Sequence, residues 1–80
     1  MRWTARALLD LLALPEGARP HVERGVDAMA LSGLGRIVVM PDPEAEGGLI
    51  PALVVGAFYV FFDLDEEAGV VTVLHITSTP

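Results

Sequence analysis

The sequence contains neither cysteine nor lysine, and its only cationic side chains apart from two histidines are five arginines. Without cysteine, disulfide bonds and thiolate metal sites are excluded. Aromatic residues are also scarce, at 6% of the 80 residues, whereas hydrophobic residues make up 52%. A chain of this length and apolar content can bury one modest core, so we expect a single domain over residues 1–80.

The charges are divided unevenly along the chain. All five arginines lie within residues 1–36, where four acidic residues leave a balance of +1. Residues 37–80 carry seven acidic residues and no arginine, and the whole chain has a formal charge of −6. A negative surface repels phosphate groups at long range. We therefore expect no direct binding to free nucleic acid, and we interpret the acidic half as a solvated surface.

No hydrophobic run is long enough to cross a bilayer. The longest, Leu49–Phe62, is interrupted by Pro51 and Gly56. The amino-terminal leucine run contains Asp10 and no clear small-residue cleavage site, which favours a helix of the mature protein over a signal peptide. We therefore expect a cytoplasmic protein with no membrane partner.

Two amphipathic helices are predicted in the first third of the chain. Thr4 is a typical N-cap for a helix that reaches about Leu14. A second helix, predicted over residues 20–31, has apolar residues at helical spacing and ends at Gly33. Gly25, in the middle of this helix, indicates a close approach to the first helix. The two helices together predict a helical hairpin.

The rest of the chain reads as strands and turns. Arg36–Met40 is rich in β-branched residues and predicts a strand, and the proline, glycine and acidic residues of Pro41–Gly48 predict a loop. Pro51 indicates an edge or irregular start to the strand that holds it. Further strands are expected in three stretches: Leu49–Val55, Phe58–Asp65 and Val70–Ile76.

These elements predict an α+β domain of two layers. The helical hairpin packs on one face of a twisted antiparallel sheet of three or four strands, and Met1–Trp3 is a further short first strand. Alternation assigns one set of residues to the core face of the sheet: Phe58, Val60, Phe62 and Leu64. The opposite face is expected to leave an apolar patch that binds a partner. The predicted partner-binding residues are Tyr59, Phe61, Val71 and Val73.

One segment has a more specific pattern. Val55 and Gly56 precede a run of aromatic and apolar residues that includes Asp63 and Asp65, and a turn then leads to a Val-Val-x-Val-Leu strand at Val70–Leu74. The amino-terminal segment contributes three further matches: Trp3, Thr4 and Ala7. In these residues the chain resembles the RelE/ParE superfamily of toxins from type II toxin–antitoxin modules. The resemblance implies the fold of that family, in which an antitoxin wraps the toxin with a helix and a strand.

The chain departs from the family where the family is basic. Tyr59 stands where the family has an arginine, and the strand before Gly56 lacks the family's basic residues. The tail Thr77–Pro80 lacks the histidine, arginine or tyrosine usual there. Family ribonucleases cut messenger RNA on the ribosome with arginine, lysine and tyrosine groups that hold the scissile phosphate. A tyrosine hydroxyl supplies no positive charge, so the resemblance does not extend to the nuclease site.

The remaining polar residues give weak signals for catalysis. His75 as a general base, Tyr59 as a catalytic hydroxyl and Arg36 are the three catalytic candidates, and the strand setting of each favours a structural role. His21 and His75 lie in different elements without metal-ligand spacing, and the acidic run Asp63–Glu67 lacks the spacing of a calcium loop. No cofactor or metal is expected.

The sequence therefore favours a toxin component of a type II toxin–antitoxin (plasmid stabilisation) system that binds a cognate antitoxin and is not a ribonuclease. If toxic, such a protein would act on DNA gyrase or on the ribosome. Two alternatives stay open. One is a ribosome-dependent messenger RNA endoribonuclease with relocated catalytic groups, and the other is a non-toxic module on the same fold that self-associates, for example as a homodimer.

Overall fold

The computed structural model describes residues 1–44 and 47–79. The chain begins with the two-residue strand β1 (Arg2–Trp3), followed by the helices α1 (Ala5–Ala13) and α2 (Ala18–Ser32). Four strands come next: β2 (Arg36–Pro41), β3 (Leu49–Val55), β4 (Phe58–Asp65) and β5 (Val70–Ser78). The α+β class predicted from the sequence is confirmed.

The five strands form one mixed sheet in the order β1-β5-β4-β3-β2. Strands β2 to β5 are an antiparallel meander, and β1 pairs in parallel with β5 through Arg2–Thr72 and Trp3–Val73. The predicted short first strand is confirmed. The prediction of a purely antiparallel sheet of three or four strands was wrong, because β1 extends the meander at its β5 edge as a parallel fifth strand.

The ends of both helices follow from local sequence. Thr4 has an extended backbone and its Oγ1 accepts a hydrogen bond from the Ala7 N–H at 3.0 Å, which caps α1 as predicted. α2 ends at Gly33, whose N–H donates to the Met29 carbonyl at 2.9 Å and whose left-handed backbone (φ +67°) lets the next N–H, that of Leu34, donate to the Ala28 carbonyl at 3.4 Å. Glycine adopts this conformation at little cost, so the position of the stop is determined by Gly33.

The core lies between the helices and one face of the sheet. α1 packs mainly on β5 and α2 on β3. The helices contribute five buried side chains: Ala7, Leu11, Val22, Val26 and Met29. The sheet contributes seven: Leu53, Val55, Val60, Phe62, Val71, Val73 and Ile76. Burial of these apolar surfaces is the main force that joins the two layers.

A β-bulge in β5 decides which side chains reach this core. Phe61 pairs with His75 but Phe62 pairs with Val73, so Leu74 is an extra residue in β5. Without it, strict alternation from the Tyr59–Thr77 pair would place Val73 on the face of Tyr59. The bulge reverses this for Val73, which enters the core together with Ile76, while His75 stays on the face of Tyr59.

Two face assignments from the sequence therefore need correction. Val71 and Val73, predicted to lie beside Tyr59 and Phe61 on an open face, belong to the core against the helices. Leu64, predicted to be a core residue, is 48% exposed near the carboxyl end of β4. Simple alternation was a poor guide here because the bulge changes the register and the core ends before the strand does.

Two further expectations concern single residues. A Cβ on Gly25 would lie 2.9 Å from Cγ2 of Val55, so this glycine permits close approach of α2 to β3. The predicted approach to the first helix was wrong.

Pro51 pairs with Val39 of β2 and has no partner on β4, whose ladder with β3 begins at Ala52. Pro51 therefore lies where β3 is paired on one side only, as a residue without an N–H requires.

Gly35 gives a test of this packing, with Gly33 as its control. Both have positive φ, but a Cβ on Gly35 (φ +130°) would lie 2.6 Å from Leu53 Cδ1, whereas one on Gly33 would meet open space. We expect Gly33→Ala to lower the free energy of unfolding by about 1 kcal/mol. Gly35→Ala should cost about 1–3 kcal/mol more through the clash with Leu53. Urea unfolding measures both, and equal losses would contradict this view of Gly35.

Candidate functional site

The face of the sheet away from the helices, called the second face below, holds all three catalytic candidates. The registers place its side chains in rows across the strands. One row consists of Arg36, Val54, Tyr59 and Thr77. The neighbouring row consists of Val38, Ala52, Phe61 and His75. The structure thus brings Arg36, Tyr59 and His75 onto one face, although they come from three different strands.

His75 is buried on this face, with only 4% of its surface exposed. Its ring stacks on Phe61 with centroids 4.6 Å apart and planes 20° apart, and its Nε2 lies 3.2 Å from Oδ1 of Asp42. Nδ1 is also buried and has no hydrogen-bond partner within residues 1–44 and 47–79. Since neither ring nitrogen is open to solvent, His75 is closed to a substrate in this arrangement.

The contact with Asp42 shows what covers the second face. Asp42 follows the end of β2, yet it reaches β5, which is separated from β2 by two strands. The segment after β2, residues 42–44, therefore lies over the second face, and we call it the crossing segment. Its conformation is fixed by two hydrogen bonds: Glu44 N–H donates to Asp42 Oδ1 at 2.9 Å, and Asp42 N–H donates to the Gly48 carbonyl at 3.1 Å.

The crossing segment is also attached to α1. The Arg6 guanidinium contacts Asp10 at 3.1 Å and Glu44 at 2.6 Å. The hydrogen bond and charge of Asp10, together with the charge of Glu44, raise the pKa of Arg6 above its ordinary value. Asp10 uses its other oxygen to accept the Ile76 N–H at 3.0 Å. One small polar network thus joins α1, the crossing segment and β5.

Tyr59 and Arg36 remain more accessible than His75. Tyr59 is half-buried and meets Phe61 edge-on, with ring centroids 6.3 Å apart. Arg36 is exposed, two strands away in the same row, so about 10 Å separates their backbones. A single guanidinium and a phenol at this spacing do not form the close multidentate cradle that stabilises a reacting phosphate.

The other arginines do not complete such a cradle. Arg2 is on β1 and Arg36 on β2, which are the opposite edges of the sheet. Arg19 and Arg24 each donate from Nε to a carbonyl five and four residues earlier, those of Leu14 and Pro20. A pocket of about 390 Å³ beside α2 is lined mainly by apolar residues and glycine, with Arg24 as its one arginine and His21 beside it. Neither this pocket nor a smaller groove lined by Trp3, Leu8, Leu11, Glu23 and Asp27 contains more than one arginine.

The acidic turn between β4 and β5 has a structural explanation. Asp65 Oδ1 accepts the Ala68 N–H at 3.1 Å, and Gly69 follows with φ +66°. Over residues 1–44 and 47–79, no three histidine or acidic side chains cluster in a way that could hold a metal ion. In the same part of the chain, neither helix has the length and hydrophobicity needed to cross a membrane.

The predicted partner-binding residues are mostly inaccessible. Phe61 and Val73 are fully buried, Val71 is nearly so, and only Tyr59 keeps part of its surface exposed. Phe61 is covered on the second face, and the two valines lie under the helices. A role for Tyr59 in partner binding stays a prediction.

Sequence reasoning missed the residues that organise this region. Asp42, Asp10 and the second hydrogen bond of Thr4, from Oγ1 to the Leu74 carbonyl at 2.7 Å, were not predicted. For Asp10 there was a signal, because a carboxylate within a leucine run needs a polar partner if it is partly buried. Asp42 had none, since an aspartate between two prolines is typical of an ordinary turn.

Comparison with known proteins gives evidence of fold. No family model matches the sequence, and no curated protein matches it. The structure is similar to a chain in the crystal structure of the RelB–RelE antitoxin–toxin complex from Methanococcus jannaschii, with a TM-score of 0.67 and 9% sequence identity. The alignment covers 98% of this chain and 89% of that chain. At this identity the likeness shows a shared fold, over nearly the whole of both chains.

The Asp42–His75 contact yields a prediction about stability. Asp42→Ala would leave both nitrogens of the buried His75 ring without a protein partner and would release the Glu44 N–H. We expect the free energy of unfolding to fall by about 1–3 kcal/mol. Asp63→Ala, on the same face but exposed, should change it by about 0.5 kcal/mol or less. Chemical unfolding of the two variants checks this, and similar losses would show that the contact contributes little.

Proposed function

We propose that this protein is a RelE/ParE-like toxin component of a type II toxin–antitoxin system, and that it binds a cognate antitoxin without cutting RNA. The observation that supports the proposal most is the whole-chain likeness to a chain of an antitoxin–toxin complex. The toxin pattern in the sequence, Val55-Gly56 to the strand at Val70–Leu74, supports the toxin side of that pair.

The outer surface of α1 is the best place for the antitoxin. Leu8, Leu9 and Leu12 are 47%, 66% and 64% exposed, and their spacing places them side by side on the helix. Ala7 and Leu11, on the inner side, are buried in the core. A helix that is apolar on both sides is normally covered on both sides. The outer leucines therefore favour a partner that covers them.

A groove beside these leucines defines the chemistry of that partner. It has a volume of about 240 Å³ and is lined by Trp3, Leu8 and Leu11 together with the carboxylates of Glu23 and Asp27 on α2. An apolar segment that carries a basic residue fits such a groove. With the chain at −6 overall, the antitoxin segment should bind through apolar side chains and should not be strongly acidic.

The absence of a ribonuclease site is proposed on electrostatic grounds. The arginines are spread over both sheet edges and both helices, and Arg6 is neutralised by Asp10 and Glu44. A ribonuclease would need several cations around one phosphate, and each tenfold loss of rate corresponds to about 1.4 kcal/mol of lost transition-state stabilisation. The target of the proposed toxin is therefore more consistent with DNA gyrase than with messenger RNA on the ribosome.

Induced expression in a bacterial host tests the proposed function. We expect growth to stop on induction and to resume when the product of a neighbouring small reading frame, the cognate antitoxin, is expressed with it. Transcripts in ribosome fractions should stay intact. Absence of growth arrest would contradict the toxin proposal, and cleavage of ribosome-bound transcripts would contradict the proposed loss of nuclease activity.

The docking surface has its own prediction. Leu9→Lys and Leu12→Lys should weaken antitoxin binding at least about tenfold, because each places a charge where an apolar contact is expected. In cells, both variants should escape neutralisation while remaining toxic. Leu49→Lys, on β3 and 72% exposed, is the matched control. If all three variants bind the antitoxin as well as the wild type in calorimetry, the antitoxin does not dock on α1.

A further inference from the structure

The outer edges of β5 and β2 differ in whether their backbone groups have hydrogen-bond partners. The outer edge of β5 is occupied along its length by the amino-terminal segment. β1 pairs with Thr72 and Val73, Thr4 Oγ1 then donates to the Leu74 carbonyl, and Asp10 accepts the Ile76 N–H. The outer edge of β2 has no paired strand within the described residues. An unpaired edge offers a row of backbone donors and acceptors to another strand.

The interior of β2, from Ile37 to Met40, has neither the charge nor the proline that usually prevents such pairing. The sequence of β2, RIVVMP, has no charge between Arg36 and Pro41 and no proline before its last residue. On the helix side of the sheet, Ile37 and Val39 are 46% and 66% exposed, because neither helix reaches over this strand. A β-branched strand with an apolar exposed side and an open backbone edge is a surface built for strand addition.

We propose that β2 pairs with β2 of a second copy of the chain, in antiparallel orientation about a two-fold axis, to form a continuous ten-stranded sheet. Residues that are directly opposite each other across such an axis must have their side chains on the same side of the sheet. The axis therefore passes through one residue of β2 and not between two neighbouring residues. Two registers are allowed near the middle of the strand. One places Val38 on the axis, with Ile37 opposite Val39 of the second copy, and the other places Val39 on the axis.

Charge explains why a second copy fits this edge. Arg36 begins the strand, and Asp42 follows its end on the same face of the sheet, so antiparallel pairing brings opposite charges together. β2 ends at Pro41, so in either register Arg36 of one copy lies beside the end of β2 of the other, next to Asp42 of that copy and within reach of a long side chain. Asp42 is partly accessible, and its bonds within the described residues use Oδ1, which leaves Oδ2 for this contact. The strand is thus complementary to itself.

Sedimentation velocity of the purified chain over a range of concentrations tests the proposal. We expect a species of twice the 8.5 kDa chain mass that dissociates on dilution. Hydrogen exchange should slow at the amides of residues 36–40 as concentration rises. Val39→Lys should raise the dimer Kd at least about tenfold while far-UV circular dichroism stays unchanged. Leu64→Lys, whose parent residue is exposed to the same degree as Ile37, is the control and should remain dimeric.

A mixing experiment separates the two registers. In the register centred on Val38, an Ile37→Glu chain and a Val39→Lys chain place their new opposite charges face to face, so the mixture should form a heterodimer more stable than either homodimer. In the register centred on Val39 the two new charges are not directly opposite each other, so the heterodimer should be stabilised less. A wild-type chain that stays monomeric at all concentrations overturns the proposal. A dimer that the Val39→Lys substitution leaves intact also overturns it. Slower amide exchange at residues 36–40 that appears only with a different partner protein overturns it as well.

Discussion

The rest of the fold depends on how α1 completes the outer edge of β5. β1 ends opposite Val73, so it leaves the Leu74 carbonyl and the Ile76 N–H on the outer edge of β5 to be satisfied by other groups. Thr4, which caps α1, supplies the missing donor to the Leu74 carbonyl, and Asp10 on α1 supplies the missing acceptor for the Ile76 N–H. Since unpaired backbone groups are costly when partly buried, these two side chains fix the position of α1 on the sheet. The inner leucine Leu11 then follows into the core.

The bulge at Leu74 determines what each face of the sheet can do. It lets Val73 face the helices together with Ile76, while His75 stays on the second face, where the ring stacks on Phe61 and meets Asp42. That face is thereby closed by the crossing segment, which Arg6 and Glu44 hold against α1. The apolar surface that remains exposed lies at two other places, the outer leucines of α1 and the free edge of β2. The proposed partner surfaces follow from this distribution.

Local signals in the sequence were sufficient to predict the positions of the helices, strands and turns. They were insufficient to predict which side chains lie on each face of the sheet. Thr4, Gly33 and Gly69 act through their own backbone conformation and nearest neighbours, so the helix and turn positions could be predicted from them. The face of Val73 depends on one extra residue, Leu74, in its own strand, and the burial of His75 depends on an aspartate 33 residues away. Neither has a periodic signature. The parallel β1–β5 pair is equally non-local, which is why the sheet was predicted to be antiparallel.

The Thr4 and Asp10 contacts join residues separated by 70 and 66 positions in the chain. During translation, α1 therefore leaves the ribosome long before the strand that completes its surroundings exists. Until then its leucines are uncovered on both sides, and the nascent protein is at its most vulnerable to chaperone capture, proteolysis and aggregation. Closure of these long-range contacts also carries a loop-entropy cost, which favours slow acquisition of the native state. The chain would therefore reach its native state only after β5 has docked against α1, so docking of β5 is the step that completes the fold.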